Sequence, residues 1–247
     1  MSDPHATSFG RIAGHYARAR PRYPAALFER LAALSAGRGV AVDVGAGSGQ
    51  GATALLHHFD RVYAVEPDAA LLATLPADPR LVPIQQDAHA LDLPEPADLV
   101  AVFQALHWFA EDAFWDRVAR TLKPGGLLAA VGYAWFTVDE VVDAVIAGAF
   151  LPALEPHWSP RNRLLFGGYR DVAVPFAELD PGSPLAITLS WTRPQLVDYL
   201  STWSAVTTLR EKGRDPLAEV GAALLAAWPD ESPRTVTMPL SLRLFRA

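Results

Sequence analysis

Short apolar runs alternate with helical periodicities through the first half of the chain. The runs are Val40-Ala41-Val42-Asp43-Val44, Val62-Tyr63-Ala64-Val65, Leu81-Val82-Pro83-Ile84, Leu99-Val100-Ala101-Val102-Phe103 and Leu127-Leu128-Ala129-Ala130-Val131. Near-continuous apolar runs of this length suit strands buried on both faces, as in a parallel sheet. Pro83 lacks an amide hydrogen, which marks its strand as an edge or irregular one. Between the runs lie helix candidates. Pro24 suits a first helical position before Ala25 to Leu34. Asp68 can cap a helix through Leu75. From Glu111 to Leu122, residues Phe114, Val118 and Leu122 recur at i, i+4 and i+8 and form one buried stripe. Lys123-Pro124-Gly125-Gly126 ends that helix with a C-terminal cation, a proline and two turn glycines. Strand, helix, strand repeated this way predicts a doubly wound α/β sheet with right-handed crossovers.

After Gly132 the pattern changes. Residues 133 to 183 are rich in aromatics and prolines, with a helical stretch near Val138 to Phe150. A strand candidate follows at Leu185 to Trp191, then helical stretches at Arg193 to Leu209 and Pro216 to Trp228. An alternating run from Thr235 to Leu244 predicts a closing strand. All seven tryptophans lie at or beyond position 108, either as ordinary core or as an aromatic substrate chamber over a first half that binds cofactor.

The 247 residues suit one large domain, with a cap segment at 1–36, a cofactor core at 37–132, a substrate-cap insertion at 133–184 and C-terminal strands and helices at 185–247. At 51% hydrophobic and 19% charged residues, a sizeable core is available and general disorder is excluded. The absence of cysteine excludes disulfides, zinc–thiolate sites and thiol nucleophiles. No His pair stands at metal spacing, so no metal is expected. The net charge of −6 argues against a nucleic-acid partner. The longest stretch without Asp, Glu, Lys or Arg is the 16 residues Val44 to Phe59, broken by glycines and histidines, so no membrane span is expected. Met1 to Gly10 holds Asp3 and no apolar run, unlike a signal peptide. A cytoplasmic protein, monomer or homodimer, is the expectation. Of the 21 basic residues 19 are Arg, which is associated with GC-rich bacterial genomes.

The most informative segment is Val42-Asp43-Val44-Gly45-Ala46-Gly47-Ser48-Gly49-Gln50. A buried strand runs into three glycines spaced by two and then into a helix, so a ligand can approach the main chain. Glu66 closes the second strand at 66 − 43 = 23 residues past Asp43, where an acid can accept both hydroxyls of a ribose. Asp87 follows the third strand, where a side chain can take an adenine amino group. The loop is G-x-G-x-G, not the pyrophosphate-binding G-x-G-x-x-G, and no Lys-Ser/Thr follows, so it is not a P-loop. An acid at Asp43 repels phosphate and favours a cation. Ribose, adenine and positive charge together describe S-adenosylmethionine.

On these residues the chain resembles the class I S-adenosylmethionine-dependent methyltransferases, in the type 11 branch. Val42 to Gly49 matches that family's first motif, with Ala46 where Cys is common, and Leu122 to Gly126 matches its turn into the fifth strand. A closer resemblance, to the trans-aconitate-methyltransferase-like group of small-molecule enzymes, rests on Tyr16 with Arg20-Pro21-Arg22-Tyr23-Pro24, on Gln104-Ala105-Leu106-His107-Trp108-Phe109 and on Thr202-Trp203-Ser204. The chain departs from the family at His89, where a glutamate is usual, which leaves Asp87 as the better adenine contact. The resemblance implies a mostly parallel seven-stranded Rossmann-like sheet whose last two strands form an antiparallel hairpin, for which Leu185–Trp191 and Thr235–Leu244 are the candidates.

The implied cofactor site comprises Tyr16, Arg20, Asp43, Gly45, Ala46, Gly47, Gly49, Glu66, Pro67, Asp87, Ala88 and Gln104. Arg20 would pair with the methionine carboxylate, and Asp43, or a water it holds, would face the amino group. The acceptor site is expected over the ends of strands one and four, with Trp108, Tyr133, Tyr169, Arg170 and Trp203 around it. His107 is the candidate catalytic residue, a general base with a pKa near ~6.5 or a wall residue. Arg161, Arg163 and Arg170 could bind an anionic acceptor or be solvated. The expected activity is methyl transfer to a small-molecule carboxylate or hydroxyl. The alternatives are a silent cofactor-binding scaffold or sensor and an NAD(P)-dependent dehydrogenase.

Overall fold

A computed structural model describes residues 19–247. Helix α1 (Ala25–Leu34) leads into β1 (Val40–Val44), α2 (Gln50–Leu55), β2 (Arg61–Val65), α3 (Ala69–Leu72), β3 (Leu81–Ile84), β4 (Ala97–Phe103), α4 (Asp112–Thr121) and β5 (Leu122–Gly132). The cap follows as α5 (Glu140–Val145), a π turn at Ile146–Phe150, α6 (Leu151–Leu154) and α7 (Asn162–Phe166). Next come β6 (Ala177–Leu179), β7 (Ala186–Trp191), α8 (Arg193–Ser201), α9 (Ser204–Glu211), α10 (Pro216–Ala227), β8 (Arg234–Pro239) and β9 (Ser241–Arg246). Among the described residues no helix is long and apolar enough to cross a membrane.

Seven strands form one sheet in the order β3-β2-β1-β4-β5-β9-β6. The first five run parallel, and β9 is antiparallel to both its neighbours. The Pro83 strand is the edge, as its missing donor requires. Both sheet faces are buried, and the period of two separates them. Val40, Val42, Val44, Val100, Val102, Leu128 and Ala130 pack on one side. Ala41, Leu99, Ala101, Phe103, Leu127, Ala129 and Val131 pack on the other. A third core joins the cap, the C-terminal helices and the small β7–β8 sheet around Phe150, Trp203 and Trp228.

The closing run divides. Residues up to Pro239 pair with β7 in the separate sheet, and residues from Ser241 enter the main sheet beside β5. Pro239 ends the first strand, and the Leu240 amide donates to the Leu185 carbonyl at 2.8 Å where the chain changes sheets. In β8, Val236 and Met238 bury one face, which suits a two-stranded ribbon over the cap. In β9 the adjacent Leu244 and Phe245 bury opposite faces, which suits a strand inside a covered sheet. The strand beside β9 is therefore the three-residue β6, within the segment expected to be cap, and not Leu185–Trp191. The Arg193–Leu209 stretch breaks at Thr202–Trp203 into two helices, and the helix capped by Asp68 ends at Leu72 rather than Leu75.

The Lys-Pro-Gly-Gly segment, expected as a turn, lies inside β5 where the pairing with β4 shifts register, and it is tied to the start of β1. Lys123 Nζ lies 2.8 and 2.9 Å from the Asp98 oxygens, and the Val40 amide donates to Asp98 at 2.9 Å. Burial works to raise the Asp98 pKa, but Lys123 and the Val40 and Gly39 amides outweigh it and hold the carboxyl low. This tie thus registers β5 against the strand that carries the glycine loop.

Candidate active site

The carboxyl ends of β1, β2, β4 and β5 open onto one cavity of about 720 Å³. A crevice at this end of an open parallel sheet is where α/β folds bind ligands, because the strand order reverses there and leaves room between loops. The glycine loop, Glu66 and Pro67, the Gln86–His89 turn and the Gln104–Phe109 turn line one part. Tyr133, Trp135, Trp158, Arg161, Asn162, Phe166, Tyr199 and Trp203 line the rest, with Arg20 and Tyr23 between.

The three loop glycines all have left-handed φ, at +72°, +55° and +81°, but they do different work. A Cβ at Gly45 would lie 2.6 Å from the Ala105 Cβ, and one at Gly49 would collide with Leu75. Those two glycines let the protein pack on itself, and Gly49 does not reach the cavity wall. A Cβ at Gly47 would meet nothing within 4 Å, since it would project into the cavity. Gly47 is the position where a ligand can lie against main chain.

Glu66 holds this loop in place. Its Oε2 accepts from the Gly47 amide at 2.9 Å and its Oε1 from the Asp68 amide at 3.2 Å. Burial raises its pKa, and the Gly47 and Asp68 amides act against that. Glu66, read from the sequence as a ribose acceptor, is also buried and orders the loop while lining the cavity. Glu66→Ala is expected to weaken S-adenosylhomocysteine binding by about 1.5–3 kcal/mol and to speed amide exchange at Gly47. Calorimetry and hydrogen exchange measure the two effects, and unchanged affinity would remove Glu66 from the site.

Asp43 is 1% exposed, and among the described residues neither of its carboxyl oxygens has a partner with full hydrogen-bond geometry. Burial raises its pKa to about 8; the Ala52 amide opposes this and the Glu66 carboxylate adds to it. A buried carboxyl group on a cavity wall, costly to ionise alone, is a fit for a cationic group that would draw out its charge. Together with the open Gly47 cradle, it matches the cationic, ribose-bearing cofactor read from the sequence.

The other expected cofactor residues divide. Pro67, Ala88, Ala46 and Arg20 line the cavity. The Arg20 guanidinium donates to the Thr202 carbonyl at 3.3 Å and lies 5.6 Å from the Tyr199 ring centroid. Asp87 lines the wall with its side chain 62% exposed, and its Oδ1 receives the His89 amide and faces His89 Nδ1, each at 2.8 Å. His89, at the family's glutamate position, thus braces Asp87. Gln104 has φ +58° and clamps β4 to β5: its Nε2 donates to the Tyr133 carbonyl at 2.8 Å, and its Oε1 accepts the Tyr133 amide at 2.7 Å. Both ends of its amide are engaged by that clamp. Tyr16 lies outside the described residues.

On the acceptor side, Trp108, Tyr133 and Trp203 line the cavity as expected. Tyr169 does not; it is fully buried behind His107. Arg170 is exposed and off the cavity wall, and Arg163 faces Glu155 at the surface at 3.7 Å. Of the three arginines, Arg161 is the one the fold brings in. It donates to the Trp108 carbonyl at 2.5 Å and to Glu111 at 2.8 Å, tying the cap to the loop after β4.

His107 is 3% exposed between Trp108 and Tyr169. Burial, then the charges of Arg161 and Arg20, push its pKa down to about 3. The expected base with an ordinary imidazole pKa is corrected accordingly: a ring this hard to protonate is a weak proton acceptor. Asn162, Trp158, Phe166 and Tyr199 escaped the sequence reading as individual residues, and Tyr23 entered it as a mark of the resemblance and not as a wall residue. The aromatic enrichment of 133–183 signalled two of them, Trp158 and Phe166. Nothing in the sequence signalled Asn162, whose Oδ1 is buried in the wall without a partner among the described residues.

Comparison with known proteins bears on this cavity. Residues 42–130 match the family described as methyltransferase domain, type 11. A solved structure from Anaeromyxobacter dehalogenans, a candidate type II methyltransferase, is 41% identical, covers 92% of this chain and 97% of its own, and superposes with a TM-score of 0.84. An uncharacterised methyltransferase of Mycobacterium tuberculosis is 38% identical over 135 residues, which is 54% of either chain. A methyltransferase-like protein of Dictyostelium discoideum is 26% identical over 89% of this chain and 86% of its own.

Proposed function

Because the chain belongs to the class I S-adenosylmethionine-dependent methyltransferases, with S-adenosylmethionine as its cofactor, we propose that its acceptor is a small anionic molecule, a carboxylate bound between His107, Arg161 and the aromatic cap. The observation that carries this reading is the setting of His107. Its ring is buried against aromatic neighbours and lies near the Arg161 and Arg20 charges, and among the described residues no carboxylate acts to raise its pKa, so it stays neutral and takes up a proton poorly. An acceptor hydroxyl or ammonium has to lose a proton to become nucleophilic, whereas a carboxylate oxygen is nucleophilic at pH 7 as it stands. The net charge of −6 gives no support for a nucleic-acid substrate.

The bound cofactor supplies a methyl group already activated by sulfonium charge. The chain's own residues position and shield. Gly47 provides the close main-chain approach, Glu66 accepts from ribose hydroxyls, Asp43 faces the positive charge, and Arg20 takes the methionine carboxylate. Trp158, Phe166 and Trp203 pack edge to face and tilted at 5.1 and 5.6 Å and exclude water from the acceptor half.

A labelled-methyl screen over carboxylic acids, phenols and amines tests the proposal. Carboxylates are expected to give base-labile methyl esters, and kcat at saturating cofactor should show no acidic limb near the ordinary imidazole pKa of ~6.5. Turnover confined to phenols or amines, or a limb at that pH abolished by His107→Ala, would overturn the carboxylate reading. Binding of S-adenosylhomocysteine without turnover of any acceptor would favour a silent binder.

A further inference from the structure

Tyr169 stands behind the cavity wall and touches His107, which forms part of it. Its side chain is fully buried, and its hydroxyl lies 3.3 Å from His107 Nδ1. The two rings are nearly parallel, at 20° with centroids 6.3 Å apart. A phenol has one proton, and a buried hydroxyl places it on an acceptor. Among the described residues the partner of this hydroxyl is Nδ1. Two donors cannot bond each other, so a hydroxyl that gives its proton to Nδ1 requires the imidazole proton to be on Nε2. Charge from Arg161 and Arg20 disfavours a second proton on the ring.

We propose that Tyr169 is a positioning residue that locks His107 in the Nε2–H tautomer, so that His107 acts toward the acceptor as a hydrogen-bond donor. The inference deepens the acceptor reading above and rests on it for one point, the identity of the group that receives the bond. A carboxylate suits such a donor: one oxygen takes the Nε2–H bond, the other stays free to attack, and no proton has to leave. The same tautomer disfavours acceptors that present an N–H or O–H at this position, since two donors would face each other. Tyr169 therefore contributes to specificity from outside the cavity.

Long-range proton–nitrogen correlation spectra of the whole chain with 15N-labelled histidine read the protonation of each ring nitrogen directly. His107→Asn identifies the His107 signals among the seven histidines. At pH 7 the expected spectrum shows a protonated Nε2 and an unprotonated Nδ1. Tyr169→Phe should shift these signals toward a mixture of tautomers, with S-adenosylhomocysteine affinity unchanged. A protonated Nδ1 in the unmodified protein overturns the proposal, as does a tautomer indifferent to Tyr169→Phe. If the Phe variant fails to fold, the spectrum of the unmodified protein decides alone. Failure of the carboxylate reading appears in the methyl-transfer screen and leaves this spectrum unchanged, so the two are distinguishable.

Discussion

Gly47→Val is expected to abolish detectable binding of S-adenosylhomocysteine while the protein stays folded. Two independent penalties act at this residue. Its φ of +55° is left-handed, where a side chain costs roughly 1–2 kcal/mol and a β-branched one more. The isopropyl group would also fill space that is open in the cavity, where a ligand meets the loop. Distortion of the loop would further loosen the bond from the Gly47 amide to Glu66. Together these should lower affinity by on the order of 10³-fold or more, about 4 kcal/mol. Isothermal calorimetry measures the affinity and thermal unfolding the stability. Gly49→Ala is the contrasting variant. Its Cβ would strike Leu75 inside the protein, so it should lower the unfolding midpoint more than it lowers affinity. Near-normal binding by Gly47→Val would place the ligand elsewhere.

The second large effect is a pH dependence of cofactor affinity through Asp43. With its pKa raised to about 8 in the ligand-free protein, Asp43 is mostly protonated at neutral pH. A cationic ligand favours the carboxylate and lowers that pKa in the complex. Binding therefore releases a proton, and by linkage affinity rises with pH up to the ligand-free pKa. Between about pH 6 and about pH 7.5 the gain should be on the order of 20-fold if the pKa in the complex lies below that range. Calorimetry in two buffers of different ionisation enthalpy counts the released proton. Asp43→Asn should remove both the proton release and the slope, and should weaken binding at pH 7.5 by about 2–4 kcal/mol through loss of the charge pair. A flat affinity profile for the unmodified protein would mean that Asp43 does not face the positive charge.

Much of the cofactor half was legible in order along the chain. A buried strand, three glycines spaced by two and an acid at the end of the next strand are local features, and each has its physical reason within a few residues. Even so, the spacing did not say which glycine faces ligand. Gly45 and Gly49 are held by Ala105 and Leu75, which come from distant segments, and contact alone distinguishes them from Gly47. Glu66 was legible as an acid at a strand end, but its bonds to two backbone amides were not.

The acceptor half was less legible, because its residues come from segments that meet only in the folded chain. Arg161 and Arg170 stand in the same proline-rich region, and sequence offered no means to choose between them. The fold turns Arg161 onto the Trp108 carbonyl and leaves Arg170 exposed. Tyr169 looked like a wall residue and is instead the partner behind the wall.

The sequence by itself determined the parallel sheet, the end of the sheet where the cavity opens and the chemistry of the cofactor. Those follow from hydrophobic period, turn residues and short-range spacing, which are written contiguously. The tertiary structure alone decided that the closing run is shared between two sheets, that β6 is the three-residue strand beside β9, and that His107 is a neutral ring with a depressed pKa. A strand's partner depends on which edge is still unpaired, and a pKa depends on burial and on charges from elsewhere in the chain. Both are properties of residues brought together by folding, and a linear pattern does not contain them.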